Sequence, residues 1–251
     1  MVGLRGRRIL ITRARAQGEK LAAAIEELGG KAVWVPAIQT LPIPLDEAGR
    51  GILQGLDRFR WVAFTSENAV KYFFALLADE GMELPKHLRL ASVGPATTQH
   101  LVARGLKVEA QPQMYTGLDL ADLLVAKHAP GPLLLPRGAS GREELADRLT
   151  EAGWEVMPLT VYETRPAVIT PEHVWAIEQG VDAALFASPS AVKALWEALP
   201  ETARAVLRRA VCQPIGPTTA KALEEVGLEP APLPEKSTAE GLVKAILDRL
   251  A

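Results

Sequence analysis

The feature that most constrains the fold of this 251-residue chain is an internal repeat. The segment Phe64–Lys71, FTSENAVK, matches Phe186–Lys193, FASPSAVK, at an offset of 122 residues. The segment Val93–Thr97, VGPAT, matches Ile215–Thr219, IGPTT, at the same offset. Because this register holds without a gap over a long stretch, it indicates two copies of one supersecondary pattern.

A second pair of similar segments shows that the order of the elements differs between the two copies. Ile11–Arg13 and the apolar residues after it resemble Leu135–Arg137 and the residues that follow, at an offset of 124. This unit precedes the larger repeated block in one copy and follows it in the other. We therefore predict a discontinuous domain 1, formed by residues 1–36 and 168–251, and a domain 2 formed by residues 45–158.

Two segments then have to link the domains, and their composition predicts how they do so. Residues 37–44 and 159–167 combine β-branched residues with proline, including Ile38, Thr160 and Val161. These residues favour extended backbone. We predict a narrow two-stranded β connector.

Within each domain, short apolar segments alternate with segments whose apolar residues recur with the helical period. Such alternation predicts parallel sheets covered by helices on both faces. The expected fold class is therefore α/β, with two similar doubly wound, flavodoxin-like domains. The predicted strands are 8–12, 32–35, 61–65, 90–93, 108–110, 133–135, 155–157, 182–186, 211–215 and 231–233. The predicted helices are 17–28, 68–80, 96–104, 117–127, 142–151, 190–198, 218–226 and 238–250.

Composition excludes several classes of protein. Lys and Arg number 28 against 30 Asp and Glu, which argues against a nucleic-acid-binding protein. No apolar run is long enough to span a bilayer, and the start of the chain lacks the pattern of a secretory signal. The single Cys212 fits a reducing compartment, and the four histidines lack zinc-site spacing. We expect a cytoplasmic monomer without metal or cofactor, whose partner is a small molecule rather than nucleic acid or membrane.

Polar and cationic residues cluster where the predicted strands turn into helices. In open parallel sheets, ligands bind beyond the carboxyl ends of the strands, beside helix N-termini that favour anions. Several such turns facing one cleft would hold a polyanion. The candidate binding residues are Arg13, Ser66, Thr97, Arg137, Ser188, Thr218 and Thr219.

These residues also have structural interpretations. Ser188 followed by Pro189 is typical of a helix N-cap, and capping and binding can coexist. Arg15 and Arg142 follow strands, where a side chain serves a ligand or is simply solvated. The turns match neither a dinucleotide-binding nor a P-loop pattern, so support for nucleotide binding is weak.

Tyr162 is the candidate for chemistry, because it lies in the predicted connector 159–167. A tyrosine hydroxyl, with an ordinary pKa of about 10, can act as a proton donor. The alternative interpretation is an apolar ring that clamps the hinge. Cys212 lies in an apolar strand and is interpreted as a core residue, and no nucleophile constellation is evident.

The ordered set of motifs resembles the uroporphyrinogen-III synthase family over nearly the whole chain. The resemblance is carried by Ile11–Arg13, Phe64–Ser66, Val93–Thr97, Val161–Thr164, Ser188–Ser190 and Ile215–Thr219. It implies two domains joined by a β-ladder, which agrees with the permuted repeat. It also implies cyclisation of hydroxymethylbilane, a linear tetrapyrrole with eight carboxylates, to uroporphyrinogen III with inversion of ring D and loss of water.

The resemblance assigns roles to matching positions. Tyr162 takes the position of the family's tyrosine and would assist departure of the substrate hydroxyl. Thr97, Thr218, Thr219, Ser66 and Ser188 match hydroxyls that line the cleft. Arg13 and Arg137 are proposed from the repeat alone. Two other functions stay open at this point, a two-lobed anion-binding protein without chemistry and a nucleotide-sugar glycosyltransferase.

Overall fold

The computed structural model describes residues 3–250, apart from the side chains of residues 16 and 17. Its strands, in chain order, are β1 Arg8–Ile11, β2 Lys31–Trp34, β3 Ile38–Pro42, β4 Trp61–Phe64, β5 Arg89–Ser92, β6 Val108–Ala110, β7 Pro132–Gly138, β8 Glu155–Pro166, β9 Ala183–Phe186 and β10 Val211–Pro214.

Helices follow most of these strands. They are α1 Arg15–Glu27, α2 Glu47–Gln54, α3 Glu67–Asp79, α4 Pro95–Val102, α5 Gly117–Lys127, α6 Glu144–Glu151, α7 Pro171–Glu178, α8 Pro189–Ala198, α9 Glu201–Leu207, α10 Pro217–Glu225 and α11 Ala239–Leu250. The predicted helices are all present. The short helices α2, α7 and α9 were absent from the sequence prediction, since a segment of seven or eight residues carries little helical periodicity. Within residues 3–250, no helix has the length and apolarity needed to cross a bilayer.

The chain divides into two compact units by its internal contacts. Unit 1 takes the chain up to Gln39 and again from Arg165 onward, and unit 2 is Thr40–Thr164. The chain therefore passes between the units within β3 and within β8. The sequence predicts residues 37–44 and 159–167 as a two-stranded connector. In the structure the second of these segments continues β8, which runs without a break from Glu155 and whose buried residues keep alternating through Leu159 and Val161.

The sheet of unit 1 has the order β10-β9-β1-β2, and its strand pairs are parallel. A predicted fifth strand at 231–233 is not formed. Only a parallel bridge joins Cys212 to Pro230, with the amide of Ala231 donating to the Cys212 carbonyl at 2.8 Å. Prolines at 230, 232 and 234 lack the N–H groups that a longer ladder needs.

The larger sheet has the order β3-β8-β7-β4-β5-β6. From β8 to β6 the pairs are parallel. β3 runs antiparallel to β8, since Ile43 N–H donates to the Val161 carbonyl and Ala167 N–H donates to the Ala37 carbonyl. The order β8-β7-β4-β5-β6 repeats that of unit 1, with β7 and β8 in the places of β1 and β2.

Helices cover both faces of each sheet, as predicted. In unit 1, alternate strand residues point to opposite cores: Leu10 packs with one set of helices, while Ile9 and Ile11 pack with α1 and α11. Unit 2 is built the same way, with Phe64 on one face and Trp61 on the other. Each sheet is therefore buried on both sides, which leaves the strand ends and their turns as the accessible edges.

Candidate functional site

The carboxyl edge of the unit 1 sheet begins with the turn after β1. Thr12 is fully buried, and its hydroxyl donates to the Leu185 carbonyl of β9 at 2.8 Å. This bond ties the ends of two neighbouring strands together. Arg13, the next residue, is partly exposed beside that joint. The structure therefore places Arg13 on a fixed backbone at the edge where ligands of parallel sheets bind.

The turn after β9 is a helix cap built by Ser188. Its Oγ accepts the amide hydrogen of Ala191 at 3.2 Å and lies 3.0 Å from the Oγ of Ser190. The capping interpretation of Ser188 is thus confirmed. Either of the two serine hydroxyls can be the donor in the contact between them.

The turn after β10 separates the two neighbouring threonines. Gly216 begins α10 in extended backbone, with φ −168°, and Pro217 takes the first helical position. Thr218 is exposed, whereas Thr219 is 1% exposed and its amide donates to the Gly216 carbonyl at 3.1 Å. In this arrangement Thr218 reaches solvent and Thr219 supports the turn from within.

The matching turn in unit 2 has the same construction. Gly94 begins α4 in extended backbone, and Thr97, at the position that repeats as Thr219, is also buried. Beside it, the hydroxyls of Ser92 and Thr98 lie 2.6 Å apart, and Thr98 also donates to the side-chain oxygen of Gln111. The shared feature of both Gly-Pro turns is therefore a helix N-terminus with a buried threonine in its first turn.

Arg137 differs from Arg13, although the repeat pairs them. Its side chain is buried, and its guanidinium donates to the carboxylate of Glu143 and to the Gly141 carbonyl. The hydrogen bond from Arg137 lowers the pKa of the Glu143 carboxyl below its usual value. In this arrangement the charge of Arg137 is neutralised internally and orders the loop between β7 and α6.

Tyr162 lies near the carboxyl end of β8, opposite Gly138 of β7, just past a shift in the strand register. Its ring lies directly over that glycine: a Cβ on Gly138 would stand 2.7 Å from the Tyr162 Cζ. The phenolic oxygen is 3.2 Å from the Oγ of Ser66, which caps α3 by accepting the Ala69 amide hydrogen at 3.0 Å. The structure thus joins two of the predicted residues, Tyr162 and Ser66, in one contact.

Sequence reasoning missed a third member of this group, Tyr72. Its ring stacks on that of Tyr162, with centroids 5.4 Å apart and planes 20° apart. Its hydroxyl donates to the Thr40 carbonyl at 2.5 Å and lies 3.0 Å from the Thr40 hydroxyl. In the sequence, Tyr72 is one more apolar position of α3, and no local signal distinguishes it.

A cavity of about 320 Å³ opens at the same edge of unit 2. It is lined by Thr65 after β4, Val93 after β5, the start of α5 and Arg142. Tyr115, also in its wall, is half exposed and has φ +56°, a left-handed backbone that costs free energy for a tyrosine. Arg142, open to solvent, lies 3.6 Å from Glu144.

Two further observations concern residues away from these turns. Cys212 is buried in β10, and burial raises the pKa of its thiol to about 12, as expected of an inert core cysteine. In the described part of the chain, no three His, Cys, Asp or Glu side chains come together as a metal site.

Comparison with known proteins identifies what this arrangement is similar to. The family model described as uroporphyrinogen-III synthase HemD matches residues 19–244. A uroporphyrinogen-III synthase of Chlorobaculum parvum is 28% identical, over 96% of this chain and 98% of its own length. One of Synechococcus elongatus is 30% identical over 69% of this chain and 67% of its own. The crystal structure of a mutant uroporphyrinogen III synthase from Thermus thermophilus superposes with a TM-score of 0.62, at 24% identity and 98% coverage of both chains.

Proposed function

Because this chain belongs to the uroporphyrinogen-III synthase family, we propose that it holds hydroxymethylbilane at the carboxyl edges of both sheets and that Tyr162 assists departure of the hydroxyl. Enzymes of this family are lyases that cyclise this linear tetrapyrrole in tetrapyrrole biosynthesis. The observation that carries the proposal for Tyr162 is the position of its hydroxyl, which lies beside the N-terminus of α3 at the carboxyl edge of unit 2.

The reaction depends more on how the protein positions the substrate than on reactive side chains. The ring A hydroxymethyl carbon loses its oxygen with the bonding electron pair, and a proton from Tyr162 lets that oxygen leave as water. Ring D attacks the resulting azafulvene cation through its substituted carbon, and the spiro intermediate fragments and closes the other way. The pyrrole nitrogens supply the electrons. The protein therefore contributes position and electrostatics, which together account for large rate effects.

For substrate binding, we propose Arg13, Ser188, Thr218 and Thr219 in unit 1, and Ser66, Thr97 and Arg137 in unit 2. Arg13, Ser188 and Thr218 have accessible side chains at their turns. The buried Thr97 and Thr219 would act by shaping the Gly-Pro turns, whose backbone amides then receive acetate or propionate groups. Arg137 would act through the loop that it orders with Glu143, or by exchanging that partner for a substrate carboxylate.

We also propose that the two units are flavodoxin-like domains related by permutation, with the bounds 1–36 plus 168–251 and 45–158. What supports this is the strand order. Unit 1 reads β2-β1-β9-β10 and then the Pro230 bridge, which is the order 2-1-3-4-5. Unit 2 has the same order when the chain is read from β7, so the first two strands of one copy are the last two of the other.

We further propose that the protein acts as a monomer in the cytoplasm, without nucleic acid. The burial of Cys212 supports a chain that needs no disulfide, and the near balance of 28 basic and 30 acidic residues gives nucleic acid little to bind. Light scattering coupled to gel filtration tests the monomer directly, with one mass near 27.0 kDa expected.

The function is tested by supplying freshly prepared hydroxymethylbilane and separating the uroporphyrinogen isomers after oxidation. The proposal expects the type III isomer, against type I from spontaneous closure without protein. An anion-binding protein without chemistry would leave type I as the product. A nucleotide-sugar glycosyltransferase would instead gain thermal stability from uridine nucleotides and none from the bilane or its product.

A further inference from the structure

Three contacts set the position of the Tyr162 side chain, and they come from β7 and from two places on α3. Gly138 of β7 lies under its ring, Tyr72 of α3 stacks on that ring, and Ser66 at the start of α3 contacts its hydroxyl. Proton transfer requires donor and acceptor within about 2.6 to 3.2 Å, so small displacements of such a hydroxyl lower the rate steeply. The groups that hold the side chain of Tyr162 therefore affect catalysis through its position.

Ser66 has the hydrogen-bonding capacity to support Tyr162 in both of its protonation states. One lone pair of its Oγ is taken by the Ala69 amide hydrogen. Either hydroxyl can be the donor in the contact between Ser66 and Tyr162, so in the resting state the second lone pair can accept the phenolic proton. Once Tyr162 has given that proton to the departing hydroxyl, the Ser66 O–H turns to donate to the phenolate. The negative charge then lies at the N-terminus of α3, where the helix dipole and the chain of hydrogen bonds stabilise it.

Tyr72 contacts the ring of Tyr162 and acts on the position of that ring, not on the Tyr162 hydroxyl. It is 8% exposed, its own hydroxyl is held by Thr40 of β3, and the ammonium of Lys71 lies 4.9 Å from its ring. Because its hydroxyl is tethered, the ring of Tyr72 is a fixed surface on which the ring of Tyr162 stacks. It leaves Tyr162 little freedom to swing away from Ser66.

Resting on the proposed role of Tyr162, we propose that Ser66 and Tyr72 are positioning residues for it: Ser66 fixes and stabilises the phenolic oxygen, and Tyr72 fixes the ring. For Ser66 this role is separate from the substrate contact proposed above, and separate measurements of kcat and KM distinguish the two. The step is balanced, because the proton that Tyr162 loses leaves in water, and Tyr162 regains one when the cyclised product gives up a proton to restore its aromatic pyrrole.

The test is a double-mutant cycle measured on type III uroporphyrinogen formation. We expect Ser66→Ala to lower kcat by about 10 to 100-fold with KM changed by less than about twofold, because it removes an interaction made in the transition state. In the Tyr162→Phe background the same substitution should have almost no further effect. Ser66→Thr, which keeps a hydroxyl, should recover most of the rate.

Tyr72 is tested in the same cycle with two substitutions. Tyr72→Phe keeps the stacked ring and loses the bond to Thr40, so we expect a small loss of kcat. Tyr72→Leu loses the stack and should lower kcat more than Tyr72→Phe, again only when Tyr162 is present. Thr170→Ala is the matched control, since it removes a hydroxyl helix cap in unit 1 without a tyrosine nearby.

The outcomes separate this inference from the function that it rests on. If Tyr162→Phe retains the wild-type rate, the proposed acid role is wrong, and the positioning roles of Ser66 and Tyr72 are then wrong as well. If Tyr162→Phe is impaired but Ser66→Ala and Tyr72→Leu reduce kcat by equal factors in both backgrounds, the positioning roles alone are wrong. A Ser66→Ala variant that raises KM and leaves kcat unchanged would assign Ser66 to substrate binding instead.

Discussion

At the residue scale, the proposed acid role of Tyr162 depends on its hydroxyl. Its oxygen lies 3.2 Å from Ser66, and in Tyr162→Phe the ring keeps its stacking on Tyr72 while the proton donor is lost. We expect kcat for type III formation to fall by about 10² to 10³-fold, which lies within the range that a positioned acid contributes.

Unfolding by urea shows whether this substitution leaves the fold intact. The midpoint should change little, because the apolar contacts of the ring remain. A variant that makes the type III isomer at the normal rate would contradict the acid role.

The second prediction at the residue scale concerns Arg13. Its guanidinium is partly exposed at the carboxyl edge of unit 1, so Arg13→Ala should raise KM for the bilane by about tenfold, the equivalent of about 1.4 kcal/mol. The effect should shrink as salt is added, because ions screen exposed charges. Initial rates at several ionic strengths measure it.

The matched control for Arg13 removes the same charge from the opposite edge of the same sheet. Arg209 is exposed just before β10, and Arg209→Ala should leave KM unchanged. Equal effects of the two substitutions would mean that overall charge, and not the turn after β1, attracts the substrate.

At the scale of elements, the register of β7 and β8 places Gly138 opposite Tyr162, and the absence of a side chain there leaves room for the tyrosine ring. A Cβ at position 138 would stand 2.7 Å from the Tyr162 Cζ and 3.0 Å from its hydroxyl oxygen, and the stacking of Tyr162 on Tyr72 further restricts how the ring can move. Gly138→Ala should therefore displace the hydroxyl and lower kcat by about 10²-fold, the scale for a misplacement near 1 Å. Single-turnover rates with saturating substrate would measure it.

A second glycine gives the control for that substitution. Gly51 lies within α2, and a Cβ there meets nothing within 4 Å. Gly51→Ala should keep full activity and raise the free energy of unfolding by about 0.5 to 1 kcal/mol, because alanine favours a helix interior over glycine. If Gly138→Ala were as active as Gly51→Ala, the close contact between Gly138 and Tyr162 would not matter for catalysis.

At the scale of the whole molecule, ion pairs make stability depend on acid pH. Hydrogen bonds from Arg137, Arg208, Lys193 and Lys244 lower the pKa values of Glu143, Glu201, Glu225 and Glu235 respectively below the ordinary 4.5. A carboxyl whose pKa is lower in the folded state stabilises the fold above its unfolded value, and that stabilisation is lost as pH falls through the folded value.

The free energy of unfolding should therefore stay level between about pH 7 and pH 5.5 and decline below about pH 4.5. Because these carboxyls are exposed to solvent, the decline should be modest and weaker at high salt. Urea titrations at a series of pH values measure it. Stability that is constant down to pH 3 would contradict the assignment of these pairs.

Much of the architecture could be predicted from the sequence because its signals are local or self-similar. Strand and helix periodicities predicted the parallel α/β sheets, and the offset match of Val93–Thr97 with Ile215–Thr219 predicted the paired Gly-Pro turns. The strand predicted at 231–233 is not formed. The segment is apolar, but the three prolines at and beside it lack the N–H groups that a β-ladder needs.

The sequence by itself determined the alternation of elements, the permuted repeat, the family and the residues at each turn, since all of these are written in short-range pattern and spacing. Only the tertiary structure decided that Arg137 is bound to Glu143, whereas the side chain of Arg13 is partly exposed to solvent. It also decided that the ring of Tyr72 stacks on that of Tyr162. The reason is physical: these contacts depend on how side chains pack once the chain has folded, and periodicity does not encode that packing.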